Sequence, residues 1–134
     1  MVLCPRSNDR LGVGAPPVRL YRQAGVRLAL GTDSLGSNDS LSLWDELAFA
    51  WPRFSGSFSA EEMLQVVTCN GADALGLKGE LGRLQPGSGA NFQVVELATA
   101  TSVENLSQSL CEQAASLRVV GLVLGGNEYL PSCC

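Results

Sequence analysis

The chain has 134 residues, 46% of them hydrophobic, with 9 basic and 13 acidic side chains, a net charge of −4 and no histidine. That length suits one ordinary domain, well short of the roughly 250 residues of a complete (β/α)8 barrel, and the apolar fraction excludes a disordered chain. Singly scattered basic residues leave no footprint for nucleic acid, no apolar run reaches the roughly 18 residues of a membrane span, and no imidazole is present to act as base or metal ligand.

Met1 to Arg6 is a strand-like run meeting a charge, which is not the form of a signal peptide. Leu3-Cys4 before Pro5 reads as the end of a strand that begins upstream. A Gly-rich loop, Leu11 to Ala15, then leads into Pro16-Pro17, a pre-organised helix start. Pro17, Leu20, Tyr21 and Ala24 follow helical spacing as one expected buried stripe, and Gly25 supplies the stop. Val26 to Leu30 is an apolar run of strand length ending at Gly31-Thr32-Asp33-Ser34. Helix, glycine and buried strand form the second half of a βαβ unit. In such units the loop beyond the strand's C-terminal end carries the chemistry, and Asp33 occupies that place.

A polar loop, Ser34 to Ser40, precedes an expected helix from Leu41 to Trp51. Leu43, Leu47 and Ala50 make one apolar stripe and Trp44, Ala48 and Trp51 another, leaving Ser42, Asp45 and Glu46 to look outward; Pro52 ends the helix. Both tryptophans read as core. Ser59 with Glu62 is a capping box, opening a helix through Met63, Val66 and Val67 to Asn70-Gly71, and a short turn follows from Ala72 to Leu77. The character changes near Gly79, so residues 1–80 are assigned to α/β units and 81–134 to a small β layer. There Pro86-Gly87 marks a turn and Ala90 to Leu97 a strand. Val103, Leu106, Leu110 and Ala114 mark a helix to Ser116. Leu117 to Leu124 is a β-branched strand, Gly125-Gly126-Asn127 a hairpin turn, and Glu128 to Leu130 the returning strand.

Asp33 admits two readings from its surroundings alone: an acid that caps its own loop, as Asp-Ser favours, or a metal ligand, although one carboxylate does not make a metal site. Gly12-Val13-Gly14 lacks both the third glycine of a dinucleotide fingerprint and the lysine of a P-loop, and reads as a connector. Asn8 either faces a ligand or satisfies its turn. Cys4, Cys69 and Cys111 stand alone in apolar contexts, Cys133-Cys134 form a free terminal pair, and none has metal or redox spacing; cysteine usage leans cytoplasmic.

Cys4-Pro5-Arg6-Ser7-Asn8, Leu11-Gly12-Val13-Gly14 with Pro16-Pro17-Val18, and Leu30-Gly31-Thr32-Asp33-Ser34 with Ser37-Asn38 together resemble the amidohydrolase superfamily. The likeness is greatest to its cytosine deaminase and chlorohydrolase-like branch, near the aminodeoxyfutalosine deaminases. Thr68-Cys69-Asn70-Gly71-Ala72, Ala74-Leu75-Gly76-Leu77 and Gly82-Arg83-Leu84-Gln85-Pro86-Gly87 resemble that family's late helices and its entry into a β-sandwich. Ala90-Asn91 departs from the family's usual Ala-Asp. The resemblance implies the last units of a metal-dependent hydrolase (β/α)8 TIM barrel plus C-terminal strands of the flanking β-sandwich, an incomplete fold. Val26 to Leu30 becomes barrel strand eight. Asp33 is implied as a ligand of a divalent metal, zinc or iron, and as a proton shuttle. Ser7, Asn8 and Ser34 are implied to line the pocket of a small substrate, an amino-purine, amino-pyrimidine or relative, whose C–N bond is hydrolysed. The family's His-x-His pair, its later histidines and its acid/base glutamate lie upstream of this chain. The expectation is a C-terminal segment that is inactive and metal-free by itself, whether truncated, split off by a frameshift, or completed by a separately encoded N-terminal half. Two alternatives stand beside it: a non-catalytic fragment acting as an interaction module, and an independent small α/β domain with its own ligand.

Overall fold

The computed structural model describes residues 1–129. Its centre is a parallel pair, β1 (Val2–Leu3) and β2 (Ala29–Leu30), in the register Val2 with Ala29 and Leu3 with Leu30. Parallel neighbours need a crossover, and α2 (Val18–Gln23) lies within it. The expected strand–helix–strand unit is therefore present, with its second strand trimmed to two paired residues. Leu28, Ala29 and Leu30 are all buried, which is why this run carries no polar alternation.

Several local expectations need correction. Pro5–Arg10, for which the sequence predicts no element, forms α1, with Pro5 at its first turn and the Asn8 N–H donating to the Cys4 carbonyl at 2.9 Å. Its sequence has no apolar period, so only the proline marks it. On α2 the inward residue is Val18, with Tyr21 half-buried, whereas Leu20 of the expected stripe is 62% exposed. The next helix, α3 (Leu43–Phe54), starts two residues later than expected and passes through Pro52. The proline removes one backbone bond, and burial of Phe54 two residues beyond it keeps the last turn in place. Leu47 and Ala50 are fully buried as expected, but Leu43 is exposed and Glu46, expected to face solvent, has no exposed surface at all.

The capping box holds in both arms: Ser59 Oγ accepts the Glu62 N–H at 3.2 Å, and a Glu62 carboxylate oxygen accepts the Ser59 N–H at 2.8 Å. It opens α4 (Ala60–Val67), which buries Ala60, Met63 and Val66. The helix stops earlier than expected because Thr68 leaves the helical region (φ −122, ψ −95), and α5 (Cys69–Ala74) starts afresh where continuation and then a turn were expected. Gly82 lies directly on this break. A Cβ at Gly82 would stand 2.7 Å from Cys69 Cα, and its φ of +79° independently favours glycine.

β3 (Phe92–Glu96), β4 (Arg118–Leu124) and β5 (Asn127–Tyr129) form an antiparallel sheet in chain order, with a register shift at Val94/Val95. Leu130 of the expected returning strand, and the pair Cys133-Cys134, lie outside the described residues. A 3-10 turn (Val103–Asn105) leads into α6 (Leu106–Glu112). Cys111 and Ala114 join Leu3, Leu28, Leu30, Leu47, Met63 and Val66 in one core, so α6 packs with the helices of the first eighty residues. The half-buried Trp44 and Trp51 pack against that core, and Trp44 Nε1 donates to Gln93 Oε1 at 2.8 Å, tying α3 to β3. No helix among the described residues is long and apolar enough to cross a membrane.

Candidate active site

β1 and β2 end side by side, so the chain leaving each one emerges at the same edge. A side chain at Gly31 would meet Val2 Cγ1 at 2.8 Å, so glycine lets the two ends pass closely. Two residues on, Asp33 adopts φ 61°, the only described non-glycine residue with positive φ. Aspartate tolerates that region better than most residues, and such positions concentrate at functional sites.

The exposed Asp33 carboxylate is held through one oxygen. Asp33 Oδ2 lies 2.8 Å from Ser7 Oγ and 2.9 Å from Ser37 Oγ, and the two hydroxyls are themselves 2.8 Å apart. Two hydroxyls carry two protons for three contacts, so at any moment one contact lacks a proton. Hydrogen bonds from Ser7 and Ser37, with the Ser34 backbone, hold the Asp33 carboxyl below its ordinary range despite a small opposing burial effect. It is therefore an anion at neutral pH. Its second oxygen, Oδ1, meets no side-chain donor among the described residues.

Beneath it runs a buried polar layer. Asn38 Nδ2 donates to the Thr32 carbonyl at 2.7 Å and to Glu46 Oε1 at 2.6 Å. Glu46 Oε2 accepts the Arg6 N–H at 3.4 Å. Burial pushes the Glu46 carboxyl above its ordinary range, against the lowering effects of Asn38 and Arg6. The Arg6 guanidinium pairs with Asp39 and lies 3.7 Å from Asp45, and its buried Nη1 has no hydrogen-bond partner.

Of the residues singled out in the sequence, Ser7 is brought to Asp33. Ser34 stands beside it but contributes backbone, its carbonyl accepting from the Ser37 and Asn38 N–H groups at 3.0 and 2.9 Å. Asn8 is half-buried on α1 and shares no hydrogen bond with Asp33 among the described residues; its carbonyl accepts the Val13 N–H at 3.0 Å, closing the turn. The roles of Ser37 and Glu46 were missed. Glu46 lies three residues after Leu43 and four before Ala50 on the apolar stripe, and that placement was the signal for a buried acid. A larger groove of about 640 Å³ lies elsewhere, against α3, α4 and β3, and no carboxylate lines it.

Asp33 fits a divalent cation as one hard oxygen ligand: ionised, exposed, with one oxygen free of side-chain donors. It does not make a centre alone, because the described residues contain no cluster of three acidic or cysteine ligands. The remaining ligands would have to come from elsewhere.

The amidohydrolase family model matches residues 1–128. A 5-methylthioadenosine/S-adenosylhomocysteine deaminase of Teredinibacter turnerae is 36% identical over 103 residues, covering 72% of this chain and 23% of the relative. The zinc-bound structure of an adenosine deaminase from Xanthomonas campestris superposes with a TM-score of 0.79 at 27% identity, covering 96% of this chain and 31% of that one. Aminofutalosine deaminase of Helicobacter pylori, in complex with methylthio-coformycin, gives a TM-score of 0.76 at 29% identity over 96% of this chain and 31% of that one. The chain thus spans about a quarter to a third of the length of these relatives.

Proposed function

Because the chain belongs to the amidohydrolase family, we propose that it supplies the last two strand–loop units of a metal-dependent deaminase barrel and the strands that follow, with Asp33 as its one metal-binding and proton-carrying group. Residues 1–80 are the barrel part and residues 81–134 the sandwich part. The observation that carries this reading is the ionised Asp33 carboxylate, presented at the C-terminal end of a parallel strand pair, the edge at which barrel enzymes hold their chemistry.

A divalent zinc or iron, when bound, would supply Lewis acidity. Asp33 would offer one oxygen to that ion, and its carboxylate would take a proton from the attacking water and return it to the leaving amine. Ser7 and Ser37 hold Oδ2, which leaves the other oxygen without a side-chain donor and favours the ionised acid. Ser34 and Asn8 border the substrate side. The substrate is a small amino-purine, amino-pyrimidine or related compound, in keeping with the nucleoside-type names of the relatives. These 134 residues contain no histidine, so the histidine ligands of such a centre would have to be supplied from outside them.

A second reading, an interaction module without catalysis, is favoured by one observation: Val2 is 51% exposed on β1, a strand paired at one edge only among the described residues, and Met1 just before it is 55% exposed. One experiment separates the two. The chain is mixed with a separately made N-terminal half of a relative, zinc is added, and ammonia release from 5′-methylthioadenosine and a panel of aminated bases is measured. Turnover that disappears in Asp33→Asn supports the catalytic reading, turnover indifferent to that change removes Asp33 from it, and tight association without turnover favours the interaction module.

A further inference from the structure

The geometry points to Asn38 and Glu46 as positioning residues of the Asp33 carboxylate, acting through the Thr32 carbonyl. The functional side of this inference rests on the proposed role of Asp33; its structural side does not.

The Thr32 carbonyl belongs to the peptide that joins Thr32 to Asp33. Fixing its oxygen fixes the plane of that peptide, and with it the axis about which Asp33 takes its left-handed φ of 61°. The group that fixes it is the Asn38 amide, whose donors and acceptor are all engaged. Nδ2 reaches Thr32 and Glu46 at 2.7 and 2.6 Å, while Oδ1 accepts the Asp39 N–H at 2.9 Å and the Ser40 N–H at 3.4 Å. A flipped amide would face its oxygen towards two acceptors, so only one orientation is satisfied. Glu46 locks that orientation from below. Its other oxygen accepts from the Arg6 N–H, one residue before Ser7. Glu46 therefore joins both supports of Asp33: the peptide arm through Asn38, and the helix that presents the Ser7 hydroxyl. Asn38 and Glu46 are 2% and 0% exposed. A buried acid is seldom a gain in stability over an apolar residue of the same size. Geometry at the carboxylate gives it a reason to be there.

The full chain is compared by NMR with Asn38→Ala, Asn38→Asp and the double variant Asn38→Asp/Glu46→Gln, reading two quantities. The coupling between the Asp33 amide and α-proton reports φ, and the melting temperature reports structure at large. Asn38→Ala and Asn38→Asp remove the donor to Thr32, so the coupling shifts away from its wild-type value. In the double variant the amide introduced at position 46 donates to the carboxylate at 38, so melting recovers relative to Asn38→Asp while Thr32 still lacks its donor. The expected result is recovered melting with the coupling still displaced. A coupling that returns together with melting, or that never moves in Asn38→Ala, overturns the inference. If Asn38→Asp does not fold, Asn38→Ala carries the test. In the reconstituted enzyme, Asn38→Ala then lowers zinc affinity by about 10- to 100-fold, the usual effect of losing a group that orients a ligand. If reconstitution fails altogether, the proposed function is in question and the coupling measurement still stands.

Discussion

Gly82→Ala tests how the second part of the chain is seated on the first. Two costs apply. An alanine held at φ +79° loses about 1–2 kcal/mol relative to its favoured conformations. Its methyl would also meet Cys69 Cα at 2.7 Å, Cys69 N at 2.9 Å and Thr68 C at 3.0 Å. All three are backbone atoms at the join of α4 and α5, so no side chain can swing aside, and overpacking of this kind costs about 1–3 kcal/mol. The sum is about 2–5 kcal/mol, a large share of a typical stability of about 5–15 kcal/mol. Gly79→Ala is the control: φ is +83° there, but nothing lies within 4 Å, so only the first cost applies. With a urea slope of about 2 kcal/mol per molar, the two variants differ in unfolding midpoint by about 0.5–1.5 M, Gly82→Ala being the less stable. Equal midpoints would refute the close approach of Gly82 to the α4–α5 break.

Leu47 has no exposed surface, and Leu47→Ala is expected to lose about 2–5 kcal/mol in the same denaturation assay; a loss well under 1 kcal/mol would place it outside the packed core. Burial raises the Glu46 carboxyl, so the folded chain holds that proton more tightly than the unfolded one. Its contribution to stability is therefore fully present below the ordinary carboxyl pKa and is lost as pH rises through the folded value. Stability measured across that window should fall with pH at Glu46 and lose this component in Glu46→Gln; an unchanged slope would count against the burial. Burial pushes the Cys111 thiol up to about 11, so Ellman's reagent should reach it only after unfolding, as labelling across a urea series would show.

What was legible in the sequence was what rests on local periodicity or on a two-residue motif. The glycine stop before Val26 to Leu30 and the Ser59/Glu62 box both express interactions within a few residues, and both are found. Asp33 was legible because a strand's end is legible. The rest depends on contacts between distant segments. The hydroxyls that hold Asp33 come from residues 7 and 37, and Glu46 is buried because Asn38 and the Arg6 backbone meet it. Nothing within a helical turn of Glu46 announces those partners. Pro52 misled for the opposite reason: a local breaking signal is overridden by the burial of Phe54 beyond it.

The two ends of the β1–β2 pair differ in a way that stability does not explain. At the N-terminal end the contacts are ordinary. The Met1 ammonium donates to the Arg27 carbonyl at 2.9 Å, Asn70 Nδ2 donates to the Leu28 carbonyl at 2.9 Å, and Arg27 pairs with Asp73. At the C-terminal end lie a left-handed aspartate, a fully buried glutamate and a buried guanidinium nitrogen that has no hydrogen-bond partner and stands 3.7 Å from the Asp45 carboxylate. The first of these alone costs about 1–3 kcal/mol, and the others add desolvation that apolar side chains would avoid. Selection for a stable fold would not collect such features at one end of two strands and spare the other. The glutamate and the aspartate are linked through Asn38, which bonds Glu46 and the Thr32 carbonyl next to Asp33, and the C-terminal edge of parallel strands is where α/β folds place their ligands.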